Sequence, residues 1–125
     1  MGNCVDTYYF LGIGGIGMSA LARYFAAKGF RVLGYDRTPS PLTQAIEAEG
    51  IEVCYDDSLE SVKGLDVATT VVVRTPAVSE DFAVYVWLKE QGFQILKRAE
   101  VFLKRHSKNT KKVIRRNLQK SLQKA

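Results

Sequence analysis

The chain has 125 residues, 46% of them hydrophobic and 25% charged, enough for one globular domain with its own core. No apolar run approaches the roughly 18 residues that a membrane span requires, and the N-terminus lacks the basic-then-apolar layout of a signal peptide, so a cytoplasmic protein is expected. The net charge of +5 is unevenly placed: 9 of the 18 Lys and Arg residues fall within residues 104–124, where there is no acidic residue, while residues 1–103 hold 9 basic against 13 acidic side chains, a net of −4.

Taken along the chain, apolar runs alternate with helical stretches. Val5 and Tyr8 to Leu11 predict a first strand, and Met18 to Lys28 a helix with Leu21, Ala22 and Phe25 on one face. Gly29 stands where a helix-ending glycine is expected. "RVLGYD", Arg31 to Asp36, is a second strand, and Ser40 with Pro41 supplies an N-cap and first turn for a helix running to Glu49. "IEVC" is a short third strand, followed by a brief helical turn from Ser58 to Val62. "VATTVVV", Val67 to Val73, is rich in β-branched residues and apolar enough to be buried on both faces, as a central parallel strand is. Asp81 to Gln91 predicts a helix ended by Gly92, and "FQIL" a fifth strand. The expected fold class is therefore α/β: a parallel sheet of about five strands with helices on both faces.

From about Leu103 the composition changes. Residues 104–125 carry few large apolar side chains, although Ile114, Leu118 and Leu122 recur at helical spacing, and they are expected to form a basic extension, helical or disordered, outside the 1–103 domain. The two cysteines, Cys4 and Cys54, have neither CxxC spacing nor histidine neighbours, His106 being the only histidine. They are expected to be small buried hydrophobes at strand positions, and no metal site is predicted.

Two loops carry chemistry. The cluster Gly12-Ile13-Gly14-Gly15-Ile16-Gly17 fits GxGxxG between a strand and a helix: Gly12 permits the tight turn, Gly14 lets a phosphate approach the backbone, and Gly17 lets the helix lie close to the strand. Free amides at the helix start, aided by its dipole, favour an anion such as a diphosphate. Asp36 closes the second strand where such folds place a carboxylate on a ribose, although a strand-end loop cap satisfies the same residue, and Arg37 beside it either pairs with a phosphate or points to solvent. In "VVVRTPAVSED", Thr75, Pro76 and Ala77 bring a hydroxyl and backbone amides to the carboxyl edge of the sheet, and Ser79 is placed to cap the next helix. The glycine motif by itself does not separate NAD(P), FAD and UDP-linked ligands.

Together "GIGGIGMSALA", "GYDRTPSPLTQAIEAEGIEV", "VVVRTPAVSED" and "ILKRAEVF" resemble, in order and spacing, the N-terminal domain of the Mur ligases, in particular those that join L-alanine to UDP-N-acetylmuramate in peptidoglycan synthesis. The resemblance covers about residues 7–103. It implies a Rossmann-like module that binds the UDP part of UDP-N-acetylmuramate, with the backbone from Gly14 through Gly15, Ile16 and Gly17 to Met18 cradling the diphosphate, Asp36 near the uridine, and Thr75, Pro76 and Ala77 in the loop where the family usually shows a Ser-Ser-Ala-like sequence. Arg74-Thr75-Pro76 departs from that form, which leaves Arg74 without a role. The segment "KRAE" looks like the one that leads toward the family's central domain. The resemblance also implies ATP and Mg²⁺ for the full-length enzyme, together with central and C-terminal domains. No glycine follows Gly92, so no phosphate-loop lysine can be placed here, and the chain is expected to bind without catalysing.

Two other functions stay open at this level. A small NAD(P)-binding regulatory domain uses the same turn and the same acidic strand end. Nucleic-acid binding through the basic tail needs only phosphate contacts, but the tail has no aromatic residue for base stacking.

Overall fold

The computed structural model describes residues 4–104. The expectations for the tail, including the helix marked by Ile114, Leu118 and Leu122, lie outside the described residues.

Five parallel strands form one sheet: β1 (Thr7–Leu11), β2 (Arg31–Tyr35), β3 (Glu52–Cys54), β4 (Thr70–Arg74) and β5 (Gln94–Lys97), in the order β3-β2-β1-β4-β5. β1 is central, pairing Phe10 with Gly34 on one side and with Val73 on the other. Every strand runs the same way, so all their carboxyl ends meet at one edge. Among the described residues the helices are α1 (Ile16–Ala27), α2 (Pro41–Ala48), α3 (Ala83–Glu90) and α4 (Arg98–Lys104), with one 3-10 turn at Leu59–Ser61.

Strand alternation divides the core in two. Tyr8 and Phe10 pack with Met18, Leu21, Ala22 and Phe25 of α1, Ile46 of α2 and Val101 of α4. Tyr9 and Leu11 face the other way, toward Val62 and toward Val84 and Leu88 of α3. Val71, Val72 and Val73 are all fully buried because β4 is covered on both faces, each contributing about 1.5–3 kcal/mol of apolar burial. The buried apolar residues of α1, Met18, Leu21, Ala22 and Phe25, fall at i, i+3, i+4 and i+7, the stripe its sequence predicts. α2 starts as expected, with Pro41 in its first turn and a reciprocal cap: Thr43 N donates to Ser40 Oγ at 3.1 Å and Ser40 N to Thr43 Oγ1 at 2.8 Å. Gly29, Gly50 and Gly92 follow α1, α2 and α3 with φ near +90°, a conformation that ends a helix cheaply only at glycine.

Several expectations need correction. β4 begins at Thr70; residues 67–69 form a turn and Val67 is 42% exposed, because Thr69 N bonds back to Asp66 O before the ladder starts. Ser79 does not cap α3. The helix begins after Phe82 with no side-chain cap, and Ser79 instead donates to the Asp81 carboxylate inside the preceding turn. Cys4 is exposed and outside any strand, and Cys54 is half-buried with its thiol 3.3 Å from Asp56 Oδ1, so neither is a core hydrophobe. The helix over the "RAE" segment was not anticipated; Lys97 N donates to Glu100 Oε1 at 2.9 Å at its start.

Candidate functional site

The sheet order reverses between β1 and β4, and at such a switch point the loops leaving adjacent strands diverge and open a crevice. A cleft of about 530 Å³ lies there, lined by Gly12 after β1, by Tyr35, Asp36 and Arg37 at the end of β2, and by Ala77, Val78, Ser79, Asp81 and Phe82 after β4. Of the residues singled out from the sequence, it thus gathers Gly12, Asp36, Arg37 and Ala77. Pro76 is exposed beside them. Thr75 packs its methyl group over Gly12, whose φ of 93° and lack of a Cβ are both required there.

The other glycines work differently from expectation. Gly14 N donates to Asp36 Oδ2 at 2.7 Å, and a Cβ on Gly14 would stand 2.6 Å from that oxygen and 2.8 Å from Thr43 Cγ2. Its smallness therefore admits an internal carboxylate and α2, and its amide is already engaged. Gly17 is not crowded by a strand; a Cβ there would meet the guanidinium of Arg98, 2.8 Å from Cζ. Gly15 is the N-cap of α1 and has ordinary room around it.

What remains open to an anion is the start of α1. Ser19 N bonds to Gly15 O at 2.8 Å, so the amides of Ile16, Gly17 and Met18 precede the first intrahelical bond. No side chain caps this end and no acidic residue lies in its first turn. The Met18 side chain is buried in the core and offers only its amide, whereas Ile16 is 85% exposed. Three unpaired amides at the positive end of a helix dipole favour a phosphate.

The cleft walls are aromatic and braced. Tyr35 and Phe82 face each other with ring centroids 4.6 Å apart. Burial first, and then the Asp36 carboxylate, push the Tyr35 phenol up, while Arg37 acts in the opposite direction. Arg74, left without a role by the sequence, has a structural one: its side chain is only 13% exposed, lies 4.7 Å over the Tyr85 ring, donates to Val78 O at 3.2 Å, and stands 3.8 Å from Glu80. It braces the loop that forms the cleft wall. Tyr35, Val78, Asp81 and Phe82 were not among the site residues expected from the sequence; an aromatic residue directly before Asp36 and another just before α3 were the available signals.

The profile described as "Mur ligase family, catalytic domain" matches residues 7–109. The chain belongs to the Mur ligase family. Among curated members it is 50% identical over 95 residues to the UDP-N-acetylmuramate--L-alanine ligase of Porphyromonas gingivalis W83, covering 74% of this chain and 21% of that protein. It is 47% identical over 102 residues to the protein of the same name from Christiangramia forsetii, covering 79% and 23%. The crystal structure of the UDP-N-acetylmuramate-alanine ligase of Thermotoga maritima superposes with a TM-score of 0.69 at 30% identity, over 77% of this chain and 21% of that one. This Mur ligase chain thus spans between a fifth and a quarter of the length of the curated relatives it matches.

Proposed function

We propose that the chain is the substrate-binding module of a Mur ligase and binds UDP-N-acetylmuramate, with the nucleoside in the cleft beside Tyr35 and Asp36 and the diphosphate over the first turn of α1. The observation that carries this reading is the adjacency of a switch-point cleft to three uncapped helix amides. The names of the longer relatives supply the ligand. Residues 1–103 are the binding module in this reading, residues 104–125 a separate extension, and the partners are the central and C-terminal ligase domains. The setting is cytoplasmic; among the described residues no helix is long and apolar enough to cross a membrane.

ATP and Mg²⁺ belong to the longer enzymes. Among the described residues no group of three or more His, Cys, Asp or Glu side chains could hold a metal, and no lysine-bearing phosphate loop occurs in the sequence, so no step through either is assigned to this chain.

The test is an amide chemical-shift titration of the labelled chain with UDP-N-acetylmuramate, and with NADH in parallel. Saturable shifts at Gly15 to Met18 and around Asp36 with the UDP compound alone are expected. Shifts with NADH alone would make this a dinucleotide-binding domain. Removal of residues 105–125 is expected to leave the UDP site intact; loss of UDP binding in that variant would refute the division of the chain.

A further inference from the structure

Arg74 is a charged residue in an apolar place. It ends β4 in register with Leu11, and strand alternation puts it on the face of the sheet where Leu11, Val72 and Tyr85 pack, with its side chain only 13% exposed. Taking a guanidinium out of water is costly unless its donors and its charge are met. The groups that meet it come from one stretch of chain, residues 78–85: Val78 O accepts at 3.2 Å, the Tyr85 ring lies 4.7 Å away beneath the guanidinium, and Glu80 stands at 3.8 Å. Glu80 is largely exposed, so the carbonyl and the ring supply most of the hold.

The stretch that Arg74 grips is the cleft wall. Ala77, Val78, Ser79, Asp81 and Phe82 line the cleft, and Arg74 does not. Two turns build this loop, closed by Val78 N donating to Thr75 O and by Phe82 N donating to Ser79 O, both at 3.1 Å. Neither bond ties the loop to the sheet; the joint between the two turns follows Val78, whose carbonyl Arg74 holds. Beyond that joint Phe82 reaches Tyr35 at the end of β2, ring against ring, across the turn that leaves β1. The aromatic contact is therefore the far end of a connection whose near end is one cation on β4.

We infer that Arg74 is a positioning residue for nucleoside binding: its clasp on Val78 and Tyr85 holds residues 75–82 against Tyr35, so that the aromatic wall of the cleft is in place before a ligand arrives. Affinity falls in proportion to the fraction of molecules whose site is competent, which is what a preformed wall protects. Arginine suits this position better than lysine, because a planar fork stacks on a ring and donates in its own plane at the same time. The inference rests on the nucleotide reading proposed above and adds to it a residue that acts on the ligand only through others.

The test is calorimetric titration of the full chain with UMP and with UDP, for the wild type, Arg74→Met, Arg74→Lys and Glu80→Gln. Nuclear Overhauser cross-peaks between the rings of Tyr35 and Phe82 are recorded on each protein without ligand. Arg74→Met is expected to weaken UMP and UDP binding by the same factor, about tenfold, and to diminish those cross-peaks. Arg74→Lys keeps the charge over Tyr85 and recovers part of both effects, and Glu80→Gln alters neither. Wild-type affinity in Arg74→Met, whatever its melting temperature, would overturn the inference and leave Arg74 a stabilising residue only. A larger loss for UDP than for UMP would also overturn it, since that marks a direct phosphate contact. A wild-type chain that binds neither nucleotide refutes the nucleotide reading, and undiminished cross-peaks in Arg74→Met refute the clasp separately. Thermal melts show which variants keep the fold; Arg74→Lys, which retains the stem and the charge, carries the same comparison if the methionine variant does not.

Discussion

Asp36 Oδ2 accepts the Gly14 amide at 2.7 Å, so the end of β2 is tied to the glycine turn after β1 by a carboxylate rather than by the backbone ladder alone. Its other oxygen accepts Thr38 N at 3.2 Å, which fixes the side chain from both ends. Truncation to Asp36→Ala leaves the Gly14 amide without its acceptor in a half-buried turn and is expected to cost about 1–3 kcal/mol. Asp36→Asn keeps one acceptor oxygen and should lose less. Urea unfolding of the two variants checks this, and equal stability of Asp36→Ala and wild type would refute the tie.

The same contact makes Gly14 and Gly15 unequal. Gly14→Ala drives a methyl group against Asp36 Oδ2 and Thr43 Cγ2, and Thr43 is fully buried within the α2 cap, so neither neighbour yields freely. A loss of about 1–3 kcal/mol is expected from such overpacking. Gly15 has its nearest neighbour at 3.7 Å and an extended conformation open to any residue. Gly15→Ser supplies the missing N-cap and should stabilise the domain by a few tenths of a kcal/mol, while its hydroxyl takes an amide that a phosphate would use. Higher thermal stability together with weaker UDP binding is the expected pair of results in a melt and a titration.

Arg74 is a partly buried cation held mainly by the Tyr85 ring and by Val78 O, since Glu80 is 77% exposed and 3.8 Å away. Glu80→Gln should therefore change stability by less than about 0.5 kcal/mol. Arg74→Met removes the donor to Val78 and the contact over Tyr85, for an expected loss of about 1–2 kcal/mol. A double-mutant cycle with Tyr85→Leu separates the ring contribution. Equal effects of Glu80→Gln and Arg74→Met would mean that the ion pair dominates.

Tyr9 places a hydroxyl in the core with no hydrogen-bond partner among the described residues, and Thr70 Oγ1 is in the same condition. Burial pushes the Tyr9 phenol well up, only partly offset by the nearby Ser61 side chain. Tyr9→Phe is expected to be neutral or to stabilise the fold by up to about 1 kcal/mol. The native phenol holds its proton above the ordinary value of 10.0, so the unfolded chain deprotonates first and stability falls as the pH rises from about 10. Tyr35 shifts in the same direction. Denaturant unfolding between pH 8 and 11 should show a shallower alkaline loss for Tyr9→Phe than for the wild type; identical slopes would place the loss elsewhere.

Sequence pattern was enough wherever one local rule acts alone. The α1 stripe, the Ser40 cap with Pro41, the helix-ending Gly29 and Gly92, and the β-branched run of β4 each depend on residues a few positions apart, and each lies where its spacing predicts. Boundaries moved where a neighbour intervened. Thr69 turns back to Asp66, so the "VAT" part of the run, residues 67–69, stays out of the sheet; Ser79 finds Asp81 before it can reach an α3 amide. Cys4 resembled a core residue by type alone, but no ladder reaches it.

By itself, then, the sequence determined the α/β alternation, the parallel sheet, the glycine turn and the family, because these follow from periodicity and from motifs contiguous in the chain. Only the tertiary structure decided what the turn touches. Gly14 meets Asp36 and Gly17 meets Arg98 across 22 and 81 positions, by subtraction of their numbers, and Arg74 folds back over Tyr85. Such contacts depend on strand order, and strand order is set by how all five strands bury both faces of one sheet at once.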